Sequence, residues 1–426
     1  MSDYKYLIIG GGVAGVTAAE TIRQNDPVGS IAIVSDEPYL LYSRVMLSKP
    51  NFFLEKIPFD QIWLKGEAWY KEKNIIFLGG KAVNSLDYKN KKVGLVDGDS
   101  ISYEKLLIAI GTATRKAVMP GADKKGVHYL RSLEDGKGIM ENIKTAKRAV
   151  TVGGGFIGFE MADLMQLAGM KTTVVLREPY FWDPTLDESS GFIIEKAMKK
   201  VGIEILHLNE IKEITGDGST GSPQDGSRTP QGGKVEGVIL KDGTKIECEV
   251  VIFGIGTTSN LEWVKSAGLE VKRGIIANEF METSADDVWT AGDITEYKDL
   301  ILEENVQMGN WVSAHEQGRI AGLGMVNKPE PFKFVSFYTT QGFGISIAFV
   351  GDTAPGSDRV IISRGDAKSG SLGRIFIVGK ELIGATLINR TNEMGTISKL
   401  IEKNIDVSKY HRELGDASFD LKKLLV

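Results

Sequence analysis

Short apolar runs that stop at glycines and continue as helices recur along the chain. The segment KYLIIGGGVAGVTAAETIRQ begins as an apolar strand, breaks at glycines, and continues with the apolar spacing of a helix before a second strand, SIAIVS. The same order returns in AVTVGGGFIGFEMADLMQLAG followed by KTTVVLRE. Gly153 of the second copy lies 143 residues after Gly10 of the first. Each copy predicts a βαβ unit, and two such units predict two nucleotide-binding domains.

The remaining pattern predicts further strands and a third domain. Residues 75–113 carry strand signals (IIFLG, KKVGLV, EKLLIAIG), as do IEILH, GVIL and EVVIFGIG later in the chain. Residues 215–234 are rich in Gly, Ser and Pro, which predicts a long hairpin loop. A helix is expected over about 309–327, and the chain after Pro331 alternates like strands and ends with a helical segment, ISKLIEKN. The predicted fold class is α/β, with two Rossmann-like dinucleotide-binding domains and a smaller C-terminal α+β domain.

The first glycine segment has the spacing of a dinucleotide site. Gly10 would make the tight turn, Gly12 would let the backbone approach a pyrophosphate, and Gly15 would let helix pack on strand. A pyrophosphate would then lie at the positive end of the helix. Asp36 and Glu37 follow the next strand and could accept hydrogen bonds from ribose hydroxyls. Strand, helix and acid together make this more specific than a glycine motif alone.

The second segment repeats the spacing at Gly153, Gly155 and Gly158. After the following strand stand Arg177 and Glu178. Arg177 could pair with a 2′-phosphate, whereas Glu178 could accept from a 2′-hydroxyl. These residues alone leave NADH and NADPH open.

Composition narrows the function classes. The net charge of −5 and the pI of about 5.7 give no overall attraction to nucleic acid or anionic membranes. No apolar run reaches the ~18 residues of a membrane span. The N-terminal residues lack the pattern of a signal peptide, so we expect a cytoplasmic protein.

The chain has one cysteine, Cys248, in an apparent strand, where a buried structural thiol is expected. Neither an internal disulfide nor a paired-cysteine redox centre can form from it. The four histidines lie far apart, so we predict no metal site.

Four ordered motifs resemble those of the pyridine-nucleotide flavoprotein reductases. Besides the two glycine segments, EKLLIAIGTATR resembles the strand that closes the FAD domain, and VWTAGDI resembles the family's Gly-Asp motif. In the latter, Gly292 and Asp293 would contact the ribityl chain and pyrophosphate of FAD. The resemblance runs from end to end and is strongest to the ferredoxin- and rubredoxin-reductase branch, with similarity to monodehydroascorbate reductase and apoptosis-inducing factor.

The segment DEPYLLYSRVMLSK is similar to a motif that marks this branch, although two of its prolines are replaced by Val45 and Met46. The resemblance implies that Arg44 contacts FAD and that Lys49 lies beside flavin N5. A fixed ammonium would stabilise the negative charge that hydride addition puts on the flavin. Glu160 matches the family glutamate that pairs with this lysine and meets the nicotinamide, so Lys49 and Glu160 are the expected catalytic residues.

The resemblance also implies that Glu178 binds the adenosine ribose, so NADH is favoured over NADPH. Trp311 would lie near the nicotinamide and flavin edge, with core packing as the alternative. Phe156 and Ile157 would shape the nicotinamide slot. The full set of expected cofactor-binding residues is Gly10, Gly12, Ala14, Gly15, Asp36, Glu37, Arg44, Lys49, Ala109, Gly111, Thr112, Gly153, Gly155, Phe156, Ile157, Gly158, Glu160, Arg177, Glu178, Gly256, Gly292, Asp293 and Trp311.

Together these features predict an FAD-dependent NAD(P)H oxidoreductase that passes hydride to flavin N5 and then electrons to a small redox protein such as ferredoxin or rubredoxin. An NAD(P)H oxidase, a quinone or small-molecule reductase, and an NADH-sensing flavoprotein of the apoptosis-inducing-factor type are the alternatives. The sequence leaves open whether the protein forms a homodimer. The Trp-Ser pair that is usual for the family in the last domain is missing from this chain. The expected domains are 1–115 and 246–328 (FAD-binding, two parts), 116–245 (NAD(P)H-binding) and 329–426 (C-terminal interface domain).

Overall fold

The computed structural model describes residues 2–217 and 233–425. They form two compact units, and each unit is built from three separate stretches of chain. The first unit comprises the residues up to Ser43, Asp60–Ala113 and Thr258–Tyr338. The second comprises Arg44–Phe59, Thr114–Thr257 and the residues from Thr339 onward.

The elements have the following bounds. In chain order the helices are α1 (Val13–Asn25), α2 (Pro50–Phe53), α3 (Glu67–Glu72), α4 (Leu133–Ile143), α5 (Phe156–Leu167), α6 (Glu188–Lys200), α7 (Glu262–Ser266), α8 (Trp311–Met325), α9 (Met394–Glu402) and α10 (His411–Gly415). The strands are β1 (Ser2–Ile9), β2 (Ile31–Ser35), β3 (Ile75–Gly79), β4 (Val83–Asp87), β5 (Lys92–Leu95), β6 (Ser100–Ile108), β7 (Ala113–Thr114), β8 (Val127–Tyr129), β9 (Arg148–Val152), β10 (Lys171–Val175), β11 (Glu204–Leu206), β12 (Ile211–Thr215), β13 (Gly237–Leu240), β14 (Lys245–Glu247), β15 (Val250–Phe253), β16 (Thr257–Thr258), β17 (Ile275–Ala277), β18 (Val288–Thr290), β19 (Thr295–Lys298), β20 (Asn305–Val306), β21 (Phe337–Gly342), β22 (Ile345–Gly351), β23 (Arg359–Asp366), β24 (Ser371–Val378) and β25 (Glu381–Ile388).

The first unit is centred on a parallel sheet with strand order β3-β2-β1-β6, to which antiparallel β5 and β4 and parallel β18 are added. All five residues of β2 are buried, as expected for a strand covered on both faces. Helices α1 and α8 pack very closely, because a Cβ on Gly318 would lie 2.2 Å from the carbonyl oxygen of Ala14. The first predicted βαβ unit is therefore confirmed as β1-α1-β2.

The second unit contains a parallel five-stranded sheet of order β11-β10-β9-β15-β8. Its β9-α5-β10 segment is the second predicted βαβ unit. An antiparallel sheet of β12, β13 and β14 is attached. The long loop predicted at 215–234 joins β12 to β13, and its residues 218–232 lie outside the described residues.

The chain ends in a five-stranded sheet of order β21-β22-β25-β24-β23, with α9 packed on it. Helix α9 buries Ile397, Leu400 and Ile401, which recur on one face at helical spacing. This confirms the predicted C-terminal domain of strands with a helix near its end. The predicted helix over about 309–327 is also present, as α8.

The boundaries of the units differ from the predicted domain segments. Residues 246–257 lie in the second unit, because β15 pairs in parallel with both β8 and β9. Residues 44–59 also belong to the second unit rather than to the first. An apolar run such as VVIF shows that a strand is buried, whereas only its neighbours show which sheet it joins.

Cys248 lies at the bend between β14 and β15 rather than within one strand, which corrects the predicted strand position. It is fully buried, as predicted, and burial raises the pKa of its thiol to about 12. The thiol is therefore protonated and unreactive at neutral pH.

The described residues contain neither a membrane-spanning helix nor a cluster of metal-binding side chains. Over residues 2–217 and 233–425, no helix is long and apolar enough to cross a membrane. In the same residues, no three His, Cys, Asp or Glu side chains come together as a group that could hold a metal ion.

Candidate active site

The first glycine loop joins β1 to α1 and has the tight geometry that its spacing predicts. Gly10 has a φ of +119°, and a Cβ there would lie 2.2 Å from the carbonyl oxygen of Ala109. A Cβ on Gly15 would lie 2.1 Å from the carbonyl oxygen of Gly10. At Gly12, by contrast, a Cβ would meet no atom within 4 Å, so the backbone faces open space at the start of the helix.

The second glycine loop has the same construction between β9 and α5. Cβ atoms on Gly153 and Gly158 would lie 2.4 Å and 1.9 Å from the carbonyl oxygens of Gly254 and Gly153. Gly155 again faces open space. No side chain caps α1 or α5, and each helix begins at its open glycine. Two helix N-termini with close backbone and free space beside them fit two pyrophosphate groups.

Two further segments of the first unit converge on the edge of the sheet where the first loop lies. Strand β6 pairs in parallel with both β1 and β18, so all three strands end at one edge. Ala109, Gly111 and Thr112 follow β6. Gly292 and Asp293 follow β18, as expected from the motif positions. Residues 180 positions apart thus meet the same loop region, which is the geometry that an extended dinucleotide requires.

Gln317, which the sequence analysis did not single out, supports this region from α8. Its Oε1 accepts a hydrogen bond of 2.7 Å from the backbone N–H of Gly292, and its side chain is fully buried. Trp311 begins the same helix and is half-buried against the core of the unit. Trp311 therefore makes the core contact that was the alternative to a position beside the cofactors.

Asp36 and Glu37 directly follow β2, at the position predicted for a ribose site. Asp36 is exposed, and its Oδ1 accepts from the backbone N–H of Glu37 at 2.9 Å. Glu37 accepts a hydrogen bond of 2.8 Å from the hydroxyl of Tyr42. The tyrosine orients this carboxylate without neutralising it.

At the end of β10, Arg177 and Glu178 form an ion pair with each other. The guanidinium of Arg177 donates to Oε1 of Glu178 from Nη2 at 2.9 Å and from Nε at 3.2 Å. The Arg177 side chain is 75% exposed, whereas that of Glu178 is 23% exposed. The chain then returns to the glycine loop, where the backbone N–H of Trp182 donates to the carbonyl of Gly154. The acid is thus the more fixed member of the pair.

Phe156, Ile157 and Gly256 lie around the second glycine loop. Phe156 is the first residue of α5 and packs edge-on against Trp182 and Phe349, with ring centroids 5.2 and 5.3 Å away. Ile157 follows it on the first turn of the helix. Gly256 lies after β15 with a φ of +93°.

Lys49 and Glu160 are brought together from positions 111 residues apart. The Nζ of Lys49 donates to Oε1 of Glu160 at 2.5 Å, and the glutamate is only 2% exposed. A buried carboxylate needs such a partner, because the interior disfavours an isolated charge. Thr340 adds a second donor to the same oxygen at 2.6 Å. Arg44 precedes Lys49 on a short turn and donates to the carbonyl of Arg131 at 2.9 Å.

Asp163 lies one turn after Glu160 on α5, and it too was missed by the sequence analysis. Burial raises the pKa of its carboxyl; the Phe343 N–H acts in the opposite direction, and the charge of Glu160 raises the pKa further. Thr340 and Asp163 carry no sequence signal, because each gains its role from a contact 180 residues away along the chain.

Family models match most of the chain. Residues 4–318 match the pyridine nucleotide-disulphide oxidoreductases, and residues 337–425 match the reductase C-terminal domain. The chain belongs to the pyridine nucleotide-disulphide oxidoreductase family. It is an FAD-dependent NAD(P)H oxidoreductase, as predicted, and its two glycine loops fit the two dinucleotides. With one cysteine it holds no internal disulphide centre.

Named relatives are similar in sequence to this chain over nearly its whole length. The ferredoxin–NAD(+) reductase component of the biphenyl dioxygenase system of Paraburkholderia xenovorans is 27% identical, covering 98% of this chain and 97% of the relative. Putidaredoxin reductase of Pseudomonas putida is 28% identical, with 98% and 96% covered. A nitrite reductase of Bacillus subtilis is 28% identical over 96% of this chain, but the chain spans only 48% of that protein.

Solved structures share the fold of this chain over nearly its whole length. A ferredoxin reductase from Rhodopseudomonas palustris has a TM-score of 0.89 at 25% identity and covers 99% of this chain and 100% of its own. Putidaredoxin reductase, solved as a covalent complex with putidaredoxin, has a TM-score of 0.90 at 25% identity, with 100% and 99% covered. The predicted branch of the family is therefore confirmed.

Proposed function

We propose that this oxidoreductase takes electrons from NADH and delivers them to a small electron-transfer protein of the ferredoxin or rubredoxin type. The observation that carries the proposal is the ion pair of Lys49 with the buried Glu160, formed by the residues to which the resemblance assigns hydride transfer. The acceptor is supported by two relatives, named as a ferredoxin–NAD(+) reductase component and a putidaredoxin reductase, which match over 97% and 96% of their length.

Two sets of residues are proposed to hold the cofactors. The FAD set is Gly10, Gly12, Ala14, Gly15, Asp36, Glu37, Arg44, Lys49, Ala109, Gly111, Thr112, Gly292, Asp293 and Trp311. The NADH set is Gly153, Gly155, Phe156, Ile157, Gly158, Glu160, Arg177, Glu178 and Gly256. Each set includes one open glycine at a helix N-terminus, where backbone N–H groups suit a pyrophosphate.

FAD held by these residues would supply the redox chemistry: it would accept a hydride from NADH, pass the two electrons to acceptors and release the proton. The protein's part is positioning and electrostatics. Lys49 supplies a positive charge where reduction adds negative charge, and Glu160 fixes the direction of that ammonium by a 2.5 Å hydrogen bond. Because both partners are set before reaction, little reorganisation is needed when the charge develops.

The test is anaerobic stopped-flow reduction of the FAD-loaded protein by NADH and by NADPH, followed by mixing with acceptors. We expect fast flavin bleaching by NADH and rapid reoxidation by ferredoxin or rubredoxin. Reoxidation only by a quinone or by dioxygen would replace the protein acceptor with a small one. A long-lived reduced complex that no acceptor reoxidises would contradict the reductase and favour an NADH-sensing flavoprotein.

The Arg177–Glu178 pair makes the dinucleotide preference testable. Replacing Glu178 by glutamine should raise the dissociation constant of NADH about tenfold, since hydrogen bonds to a charged group are worth about 1.5–3 kcal/mol. NADPH binding should be unchanged or improved, because the charge that repels its phosphate is gone. Because NADH and NADPH would reduce the flavin during a titration, NAD⁺ and NADP⁺ stand in for them, and calorimetric titration of the oxidised protein measures the two dissociation constants.

Arg177→Ala is the matched variant, since its exposed side chain contributes little to folding. It should weaken NADP⁺ binding and leave NAD⁺ binding within about twofold. If both variants lose the same affinity for NAD⁺ as for NADP⁺, the pair does not distinguish a 2′-hydroxyl from a 2′-phosphate on the ribose.

A further inference from the structure

The hairpin of β21 and β22 contacts the Lys49–Glu160 pair from the C-terminal sheet. Thr340 on β21 donates its hydroxyl to Oε1 of Glu160 at 2.6 Å, and both side chains are 2% exposed. Lys49 donates to the same oxygen at 2.5 Å. One oxygen of a buried carboxylate is thus held by two donors that come from separate segments of the chain.

The turn of this hairpin is itself held by α5. Phe343 and Gly344 connect the two strands with φ values of +52° and +74°, as in the tight turns that suit hairpins. A phenylalanine is uncommon in this left-handed region and needs support. Its backbone N–H donates to Oδ1 of Asp163 at 2.9 Å, and its ring packs edge-on against Phe159 at 5.2 Å. The strand that carries Thr340 is therefore fixed to the helix that carries Glu160.

The chemistry of the two donors is complementary. Lys49 has a long flexible side chain that is 32% exposed, so its ammonium is only as well placed as the carboxylate it binds. Threonine is branched at Cβ and has few rotamers, so its hydroxyl is a rigid donor. Its hydroxyl is also neutral, so it orients the carboxylate without changing the charge of either Glu160 or Lys49.

We propose that Thr340 is a positioning residue for flavin reduction. It holds the Glu160 carboxylate so that Lys49 keeps its ammonium in the productive place, and Asp163 keeps Thr340 there by fixing the turn. This inference rests on the proposed role of the Lys49–Glu160 pair. It gives the C-terminal domain a part in the chemistry of the site.

The test compares Thr340→Val, which removes the hydroxyl at nearly constant shape, with Thr340→Ser, which keeps it. In the FAD-loaded protein, stopped flow at saturating NADH should show flavin reduction about tenfold slower in the valine variant. A misplacement of about 1 Å can cost about 10²-fold, and Lys49 keeps its bond to Glu160 in this variant, so a smaller displacement is expected. The dissociation constant of NADH should stay within about twofold. The serine variant should behave like the original protein.

Thr386→Val is the matched control, because Thr386 is equally buried, at 2% exposure, and lies on β25 of the same sheet. It should leave the reduction rate unchanged even if it lowers thermal stability. Should Thr340→Val not fold, Thr340→Ala removes the same hydroxyl and is compared with serine in its place.

A second readout needs no turnover. Trace acetylation of the oxidised FAD-loaded protein without NADH, analysed by mass spectrometry, should modify Lys49 several times faster in the valine variant, since its ammonium is held less firmly. Lys137, which pairs with Glu134 on an exposed helix face, is the internal reference. The serine and Thr386→Val variants should label like the original protein.

The two proposals fail in different ways. If neither dinucleotide reduces the flavin of the original protein, the proposed function is wrong, and the labelling still decides whether Thr340 holds the pair. If the flavin is reduced and Thr340→Val matches the original protein in rate and labelling, the positioning role is wrong. Slow reduction in the serine variant as well would also overturn it, because the hydroxyl would then not be the cause.

Discussion

Flavin reduction by NADH should slow about 10²–10³-fold when Lys49 is replaced by methionine, the range seen on removal of one preorganised electrostatic donor. Methionine keeps the unbranched shape and all but one atom of the side chain's length, but it removes the charge. The Glu160 carboxylate, 2% exposed, would then lack its cationic partner and would add its own negative charge to the site. Single-turnover stopped flow with NADH measures the rate constant directly.

Lys56→Met is the control, because it replaces the same residue type by methionine at an exposed position on the same segment of chain. Its rate should equal that of the original protein. A double-mutant cycle with Glu160→Gln should be strongly non-additive, since the two side chains are in contact. If the flavin of Lys49→Met is reduced by NADH at a rate within about twofold of the original, or if the two substitutions are fully additive, the pair has no part in the mechanism.

The largest expected effect on stability is at Arg364, whose side chain is 2% exposed. Its guanidinium donates to both carboxylate oxygens of Glu393 at 3.0–3.1 Å and to the carbonyls of Leu414 and Phe419 at 3.2 and 2.7 Å. It also donates to the carbonyl of Asp416. One side chain therefore ties the C-terminal tail to the last sheet.

Arg364→Met should lower the free energy of unfolding of the C-terminal domain by about 3–5 kcal/mol, the typical cost of removing one partner of a buried ion pair. The carbonyls of the tail would also lose their donor. Thermal unfolding followed by circular dichroism, with hydrogen exchange of residues 359–366 and 411–425, measures the loss and locates it.

Arg412→Met is the control for this change, because Arg412 is exposed on α10, and its effect should stay within about 0.5 kcal/mol. The pH dependence gives a second check through Glu393. Burial alone would raise the pKa of its carboxyl, but hydrogen bonds from Arg390 and Arg364 outweigh it and lower the pKa. The ion pair therefore adds stability above the ordinary glutamate pKa of 4.5, and this contribution is lost as the pH falls through the folded-state value. An unfolding loss in Arg364→Met no larger than in Arg412→Met would contradict the role of Arg364.

The two glycine loops were predictable because their requirements are local. Gly10 and Gly153 need a positive φ, and Gly15 and Gly158 need room for the carbonyl oxygen of the glycine five residues earlier, so each of these constraints lies within one short stretch. The acids after β2 and β10 follow from the same units. Lys49 and Glu160 were reached only through family resemblance, because nothing local to either residue indicates the other.

Contacts between distant segments were not predictable. Thr340 lies on an ordinary strand, and its contact with Glu160 spans 180 residues. Gln317 acquires its role through the backbone of Gly292, and residues 246–257 join the second unit through pairing of β15 with β8 and β9. In each case the residue type permits several partners, and packing selects one of them.

By itself, the sequence determined the two βαβ units, the glycine loops that begin their helices, the C-terminal domain and the absence of an internal cysteine pair. Those features depend on steric limits and apolar periodicity over a few neighbouring residues. Only the tertiary structure decided that Thr340 and Lys49 share one oxygen of Glu160 and that Arg364 ties the C-terminal tail to the last sheet. Such buried polar contacts form where the fold brings distant segments together and removes water from the groups that meet.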